Sequence, residues 1–187
     1  RKESRTVEMP DEVARELIQC AISDLRISDC LQEIYDIDIQ YERKMIGYKE
    51  WVSIREVIYQ RHGYWEGRIE RQKRATLESQ LFAACYTIIA LLTGMRLHEV
   101  LNIQFGSDKN WCTETLEMNG QLFKLSFVLS KTTKLEPKPT EYKWQTVPIV
   151  KSALEALEKV SKRNYDNGSP WLFSGHKSSA RMGKGAI

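Results

Sequence analysis

Apolar residues recur at helical spacing near the start of the chain. Val13, Ala14, Leu17, Ile18, Ala21, Ile22 and Leu25 follow i, i+3, i+4 steps, which predicts an amphipathic helix. Pro10, Asp11 and Glu12 place its start near residue 10 or 11. Proline lacks an amide hydrogen that would be unpaired in a first turn anyway, and two acids favour the positive end of the helix dipole. From Ile34 to Glu78 the pattern is mixed. Ile37, Ile39 and Tyr41 alternate like a short strand, whereas Trp51, Val52, Arg55 and Ile58 repeat like a helix. We expect this stretch to be mostly helical, with a break at Gly63. Between Leu77 and Leu92, residues Leu81, Phe82, Ala84, Cys85, Ile88, Ile89 and Leu92 cover more than one helical face, so this is expected to be a buried central helix. Thr93-Gly94 interrupts it, and Leu97, Val100, Leu101 and Ile103 restart a short helical pattern. One arginine, Arg96, stands between the two apolar blocks.

After Phe105 the period changes to two. Leu116 and Met118 interleave with Thr115, Glu117 and Asn119, Leu122 to Leu129 forms a longer run, and Trp144 to Pro148 forms a third. Gly120 marks the first connection and Lys131 to Lys143, with Pro137 and Pro139, the second. These are the signs of a small antiparallel sheet. A helix over 150–163 follows, with Ala153, Leu154, Leu157 and Val160 on one face. Then come a loop from Tyr165 to Pro170, a short buried Trp171-Leu172-Phe173 element and a flexible tail, 175–187. The expected fold class is α+β, mainly helical, with a small three-stranded antiparallel sheet.

The length of 187 residues with 42% hydrophobic positions suits one globular domain, enlarged by an insertion within 30–75. The longest nearly apolar run, Leu81 to Leu92, has 12 residues, below the ~18–20 that span a bilayer, so no membrane is expected. The opening Arg1-Lys2-Glu3-Ser4-Arg5 leads into no apolar signal region and reads as the cut edge of a longer protein. Cys20, Cys30, Cys85 and Cys112 lack C-x-x-C spacing, and His62, His98 and His176 lack i, i+4 partners. Neither a metal nor a disulfide framework is suggested, and the cytoplasm is the expected compartment. Charge is uneven. Residues 1–119 carry 16 Lys and Arg against 20 Asp and Glu, whereas residues 120–187 carry 12 against 5. A basic last third suits a phosphate-backbone partner, or simply a solvated lysine-rich surface. The basic stretch from Arg68 to Arg74 admits the same two readings.

One constellation carries chemistry. Thr93-Gly94-Met95-Arg96, with Glu99 three residues on, resembles the first arginine box of the tyrosine recombinases, the phage integrase family. The order of the following elements strengthens the likeness: a short helix, three strands with a lysine in the second turn, a closing Val147-Pro148-Ile149, an amphipathic helix and Trp171-Leu172-Phe173. The resemblance covers residues 77–174 well and 7–27 in outline. It implies site-specific DNA recombination or integration, with strand cleavage and rejoining through a 3′-phosphotyrosyl intermediate and no cofactor. The partner would be the duplex DNA of a recombination site, on which the intact protein is oligomeric, and the origin would be prokaryotic, phage or mobile element. Arg96 and Lys131 would be catalytic, with Glu99 supporting. Lys134, Lys138 and Lys143 would touch the DNA backbone.

A guanidinium suits a scissile phosphate because it is permanently charged and presents a planar fork of donors. A lysine can protonate a leaving 5′-oxygen. The bland alternative for Arg96 is an ion pair with Glu99 across the turn, and for Lys131 an exposed hairpin lysine. The family's second box, H-x-x-R, and its tyrosine nucleophile belong after Trp171-Leu172-Phe173, where this sequence has only His176 and Arg181 at H-x4-R spacing. The reading is therefore a partial catalytic domain, inactive by itself. The rival readings are a non-catalytic DNA-binding module and a helical protein-interaction domain. Gly183-Lys184-Gly185 is no phosphate loop, since neither Ser nor Thr follows the lysine.

Overall fold

The computed structural model describes residues 9–64, 71–132 and 140–174. It is mainly helical, with one three-stranded antiparallel sheet. Four helices come first: α1 (Asp11–Asp24), α2 (Ile27–Glu42), α3 (Tyr48–Arg61) and α4 (Arg71–Thr93). Two single turns, α5 (Leu97–Val100) and α6 (Ser107–Asn110), lead into β1 (Trp111–Met118), β2 (Gln121–Thr132) and β3 (Thr140–Thr146), and α7 (Ile149–Asp166) follows. The tail 175–187 lies outside the described residues, as does 65–70, which includes the start of the basic stretch.

The central position expected for α4 is observed. Leu77, Leu81, Phe82, Ala84, Cys85, Ile88 and Ile89 are all buried, and α1, α2 and α7 pack around the helix. The stretch Lys73–Thr93 is long and apolar enough, by length and composition, to cross a membrane. Counting only the uninterrupted Leu81–Leu92 run understated it, because Glu78, Ser79 and Gln80 break the run without ending the helix. Here its apolar side is spent on neighbouring helices. α7 contributes Val150, Ala153, Leu154, Leu157 and Val160 to the same core, and Leu172 and Phe173 close it, with Phe173 6.1 Å from the Phe82 ring.

The mixed region resolves as helix. Ile27, Cys30, Leu31, Ile34, Tyr35 and Asp38 form the buried stripe of α2, a 3.6-residue period that overrides the apparent two-residue alternation of Ile37, Ile39 and Tyr41. The break at Gly63 is real: α3 ends at Arg61 with His62 as its C-cap, and Gly63 takes φ 77°. Arg55, which falls on the buried side of α3, is explained by Asp38. Its guanidinium lies 3.6 Å from Oδ1 of that acid and donates to the Tyr59 hydroxyl at 3.2 Å. Asp38 also accepts from the Trp51 indole at 2.9 Å and from Arg74 at 2.6 Å. Arg74 reaches Glu78 as well, at 3.2 Å, and Glu78 accepts the Tyr35 hydroxyl at 2.8 Å. Burial and the neighbouring Glu78 carboxylate both push the Tyr35 hydroxyl pKa up. Arg74 is thus an internal ion-pair partner, not a surface for phosphate.

The sheet is a meander, β1-β2-β3. Both flanking ladders run further than the sequence pattern suggested: β2 pairs with β3 from Ser126↔Thr146 to Thr132↔Thr140. Lys131 and Lys143 therefore lie inside strands, not in the connection between them. Ser126, Val128 and Ser130 face the helices and are buried, while the intervening side chains face outward. α7 extends to Asp166, so Tyr165 is helical and its ring stacks on Phe105 at 4.3 Å.

Two predictions follow from this packing. Asp38→Ala leaves the buried Arg55 without its carboxylate and Arg74 with Glu78 alone, and should lower unfolding stability by about 3–5 kcal/mol, read by denaturant titration. For the thiols, Cys20 is exposed, whereas Cys30 and Cys85 are buried and burial pushes the Cys30 thiol up to about 11. At pH 8, an aromatic disulfide reagent should label Cys20 first and leave Cys30 and Cys85 unreacted until denaturant is added. Fast labelling of all four thiols in the native protein would contradict this packing.

Candidate functional site

The Thr93-Gly94-Met95-Arg96 turn accounts for its own hydrogen bonds. The Thr93 hydroxyl donates back to the Ile89 carbonyl at 2.6 Å and accepts the Met95 amide at 3.1 Å. Gly94 takes φ 69°, and its amide closes the last bond of α4 on the Ala90 carbonyl at 3.0 Å. A left-handed residue there reverses the chain, and glycine meets that need without the strain of a Cβ. Met95 is 5% exposed and anchors the turn in the core, while Arg96 beside it is exposed.

Glu99 holds the next turn. One carboxylate oxygen accepts the Arg96 backbone amide at 2.7 Å, the back-reaching half of a helix N-terminal cap. The other accepts the Thr132 hydroxyl at 2.7 Å. The Glu99 carbonyl also accepts from Ser130 Oγ at 2.6 Å. One buried residue therefore fastens the arginine turn to the end of β2, through two side chains that alternation places on one face of the strand. Glu99, expected to be a supporting residue, is placed here on the Arg96 backbone amide. It makes no ion pair with the Arg96 guanidinium, and no carboxylate among the described residues lies within ion-pair distance of that group. The structural alternative for Arg96, an ion pair across the turn, is not formed.

Lys131 sits between Ser130 and Thr132, opposite Glu141 on β3. Its side chain belongs to the outward face by alternation, and its carbonyl accepts the Asn102 amide at 3.3 Å. Lys131 lines a cleft of about 630 Å³ together with Lys109, Lys143, Asp108 and Glu141, a near balance of charge. Arg96 does not line that cleft. The two residues expected to be catalytic are thus linked through Glu99 and Thr132 but do not share one cavity. Lys143 pairs with Glu114 at 2.5 Å, and that carboxylate pushes its pKa up. The pair is solvent-exposed, so it is held loosely, but a DNA phosphate would have to compete with it. Lys134 and Lys138 lie outside the described residues.

Sequence reasoning missed Ser130 and Thr132, although the period of two that singles out Lys131 also puts its two neighbours on the opposite, helix-facing side. It also missed Lys109, which lines the cleft and lies 5.9 Å from the Tyr165 ring. Among the described residues no group of three or more His, Cys, Asp or Glu side chains is placed to hold a metal ion. No family model, curated protein or solved structure matches this chain.

Glu99→Ala should strip acceptors from the Arg96 amide and the Thr132 hydroxyl together, costing about 3 kcal/mol because bonds to a charged group contribute ~1.5–3 kcal/mol each. Melting should fall by roughly 6–12 °C for a chain of this size. Thr132→Val, which leaves the Arg96 cap intact, should cost no more than about 1.5 kcal/mol. Equal losses in the two variants would remove the carboxylate from its linking role.

Proposed function

We propose that this chain carries the first arginine box of a tyrosine-recombinase catalytic domain and binds duplex DNA at Arg96. The observation that carries the reading is the setting of that arginine. Its guanidinium is exposed and has no carboxylate partner among the described residues, while its backbone is pinned by Glu99 and, through the same carboxylate, by Thr132 of β2. A permanent charge held on a rigid turn is suited to a phosphodiester oxygen, where it stabilises charge that grows as a nucleophile adds to phosphorus. In this reading a tyrosine oxygen bonds to phosphorus, the bond to the 5′-oxygen breaks, and Lys131 gives that oxygen its proton. Religation reverses the steps on a new strand. The H-x-x-R box and the tyrosine are not among these 187 residues, so cleavage requires groups from outside this sequence.

A second reading, a non-catalytic DNA-binding module, is favoured by one observation: Lys131 opens into a cleft that Arg96 does not line. Gel-shift titration of the chain with duplex DNA tests what the two share. Displacement of condensed counterions at about three phosphates gives a log–log salt slope of about −2.7, a loss of about 40-fold between 50 and 200 mM salt. Arg96→Ala should reduce the slope by about 1. Absence of salt-sensitive binding would sink both readings.

The two separate in a protein that joins this chain to the second box and the tyrosine. There Arg96→Ala should abolish cleavage, and Arg96→Lys should restore little. Lys131→Ala should cleave ordinary DNA poorly but DNA with sulfur at the bridging 5′ position well, since that leaving group needs no proton. Lys134→Ala should treat both substrates as the wild type does. Rescue by sulfur in Lys134→Ala alone would move the acid to that residue, and unimpaired cleavage by Arg96→Ala would favour the non-catalytic reading.

A further inference from the structure

The turn between α2 and α3 gathers aromatic and cationic side chains that the Arg96 site does not use. Tyr41 stacks on Trp51 with ring centroids 5.0 Å apart, and Tyr48 lies 5.7 Å from Trp51 and 6.4 Å from Tyr41. Trp51 is held in place by its indole hydrogen bond to Asp38 and by the Arg55 guanidinium 4.5 Å from its ring. The array is therefore fixed on its inner side and open on its outer one, where Tyr48 is 63% exposed. Around it stand Arg43, Lys44 and Lys49, all exposed and without an ion pair among the described residues. Glu42, the acid beside them on α2, is taken by Arg163 of α7 at 3.0 Å. Glu50 is the other acid of segment 41–50. In a region that is acidic overall, this turn is locally cationic.

A second, independent feature lies in the backbone. α2 ends with the Lys44 amide on the Tyr41 carbonyl and the Met45 amide on the Gln40 carbonyl, both at 2.9 Å. This closure requires a left-handed residue, and Lys44 supplies it at φ 57°. α3 and α7 end in the same pair of bonds, with Gly63 and Gly168 in that position. A lysine thus occupies a position that the comparable ends of α3 and α7 give to glycine, and strained backbone of this kind clusters at functional sites.

We propose that this turn binds single-stranded nucleic acid: an unpaired base stacks on the Tyr48–Trp51–Tyr41 array while its flanking phosphates lie on Arg43, Lys44 and Lys49. Base stacking on aromatic rings within a cationic groove is the general means of holding a single strand. Bases inside a duplex have their faces covered by neighbours, so the rings select unpaired ones. A lipid bilayer fits less well, because Met45 is the exposed aliphatic side chain beside the rings and acidic Glu42 and Glu50 flank them. The surface is separate from the Arg96 turn: Asp38 of α2 pairs with Arg74 at the start of α4, whereas Arg96 follows its other end, about 30 Å away at 1.5 Å per residue. The inference does not rest on the recombinase reading.

Fluorescence anisotropy with labelled oligothymidylate and oligouridylate about 12 nucleotides long tests it. Wild type should bind, and Tyr48→Ala should weaken binding about tenfold while Tyr48→Phe stays within about twofold, since stacking needs the ring and not the hydroxyl. Lys44→Gly should weaken binding several-fold yet melt no lower than wild type, because it removes a charge and relieves the left-handed strain. That variant decides the matter if Tyr48→Ala proves poorly folded. Arg96→Ala should leave single-strand binding unchanged, which separates this surface from the duplex site. Binding of either oligonucleotide with this variant pattern supports the proposal. Failure to bind either one, or equal affinity in wild type, Tyr48→Ala and Lys44→Gly, would overturn the proposal. So would Tyr48-dependent binding to phosphatidylcholine–phosphatidylserine vesicles without oligonucleotide binding.

Discussion

The burial of α4 is the constraint on which the rest of the structure depends. From Leu77 to Ile89 it carries one broad apolar face, made of Leu77, Leu81, Phe82, Ala84, Cys85, Ile88 and Ile89, all buried, and more than one element is needed to cover it. α1, α2 and α7 supply them. Burying this much apolar surface is the main stabilising term available to the chain. The two polar clusters of the structure stand at the two ends of this helix. Arg74 and Glu78 mark one end, and the Thr93-Gly94 turn the other.

Each end is tied by a buried carboxylate, and the two are satisfied in different ways. Asp38 draws in two arginines and an indole from α3 and α4. Its charge is matched internally, and the cluster locks the α2–α3 hairpin onto α4. Glu99 is bound by a backbone amide and a threonine hydroxyl. Neutral donors satisfy its oxygens without consuming the arginine beside it. The backbone of Arg96 is held by Glu99, and its exposed side chain has no carboxylate partner among the described residues. Arginines of one chain thus divide into structural and available ones according to what the nearest carboxylate already holds.

The sheet adds a second division. Ser130 and Thr132 turn toward α5, and Lys131 between them turns outward into the cleft with Lys109 and Lys143. Strand geometry ties Lys131 to the Arg96 turn through the backbone and keeps its side chain on the other face. For the recombinase reading, bound DNA must bring both groups to one phosphate. For the non-catalytic reading, the two are independent backbone contacts.

Much of the fold was legible in the sequence, because the relevant forces act between near neighbours. The 3.6-residue period of Leu77–Leu92, the two-residue period after Phe105, the glycine at Gly94 and the start of α1 at Pro10-Asp11 are all local consequences of backbone geometry and side-chain alternation. The Thr93-Gly94-Met95-Arg96 turn was visible for the same reason. Tertiary structure decided what depends on partners far along the chain. Nothing near Glu99 announces Thr132, nothing near Arg55 announces Asp38, and the extension of β2 through Lys131 comes from β3, whose pairing cannot be read from β2 alone. The α2–α3 turn belongs to this second group: Tyr41, Tyr48 and Trp51 are scattered across two helices, and only the hairpin stacks them. Periodicity records which side of an element is buried, but a partner is chosen by the whole packed chain, since a buried charge or hydroxyl must find whatever donor or acceptor the fold brings within reach.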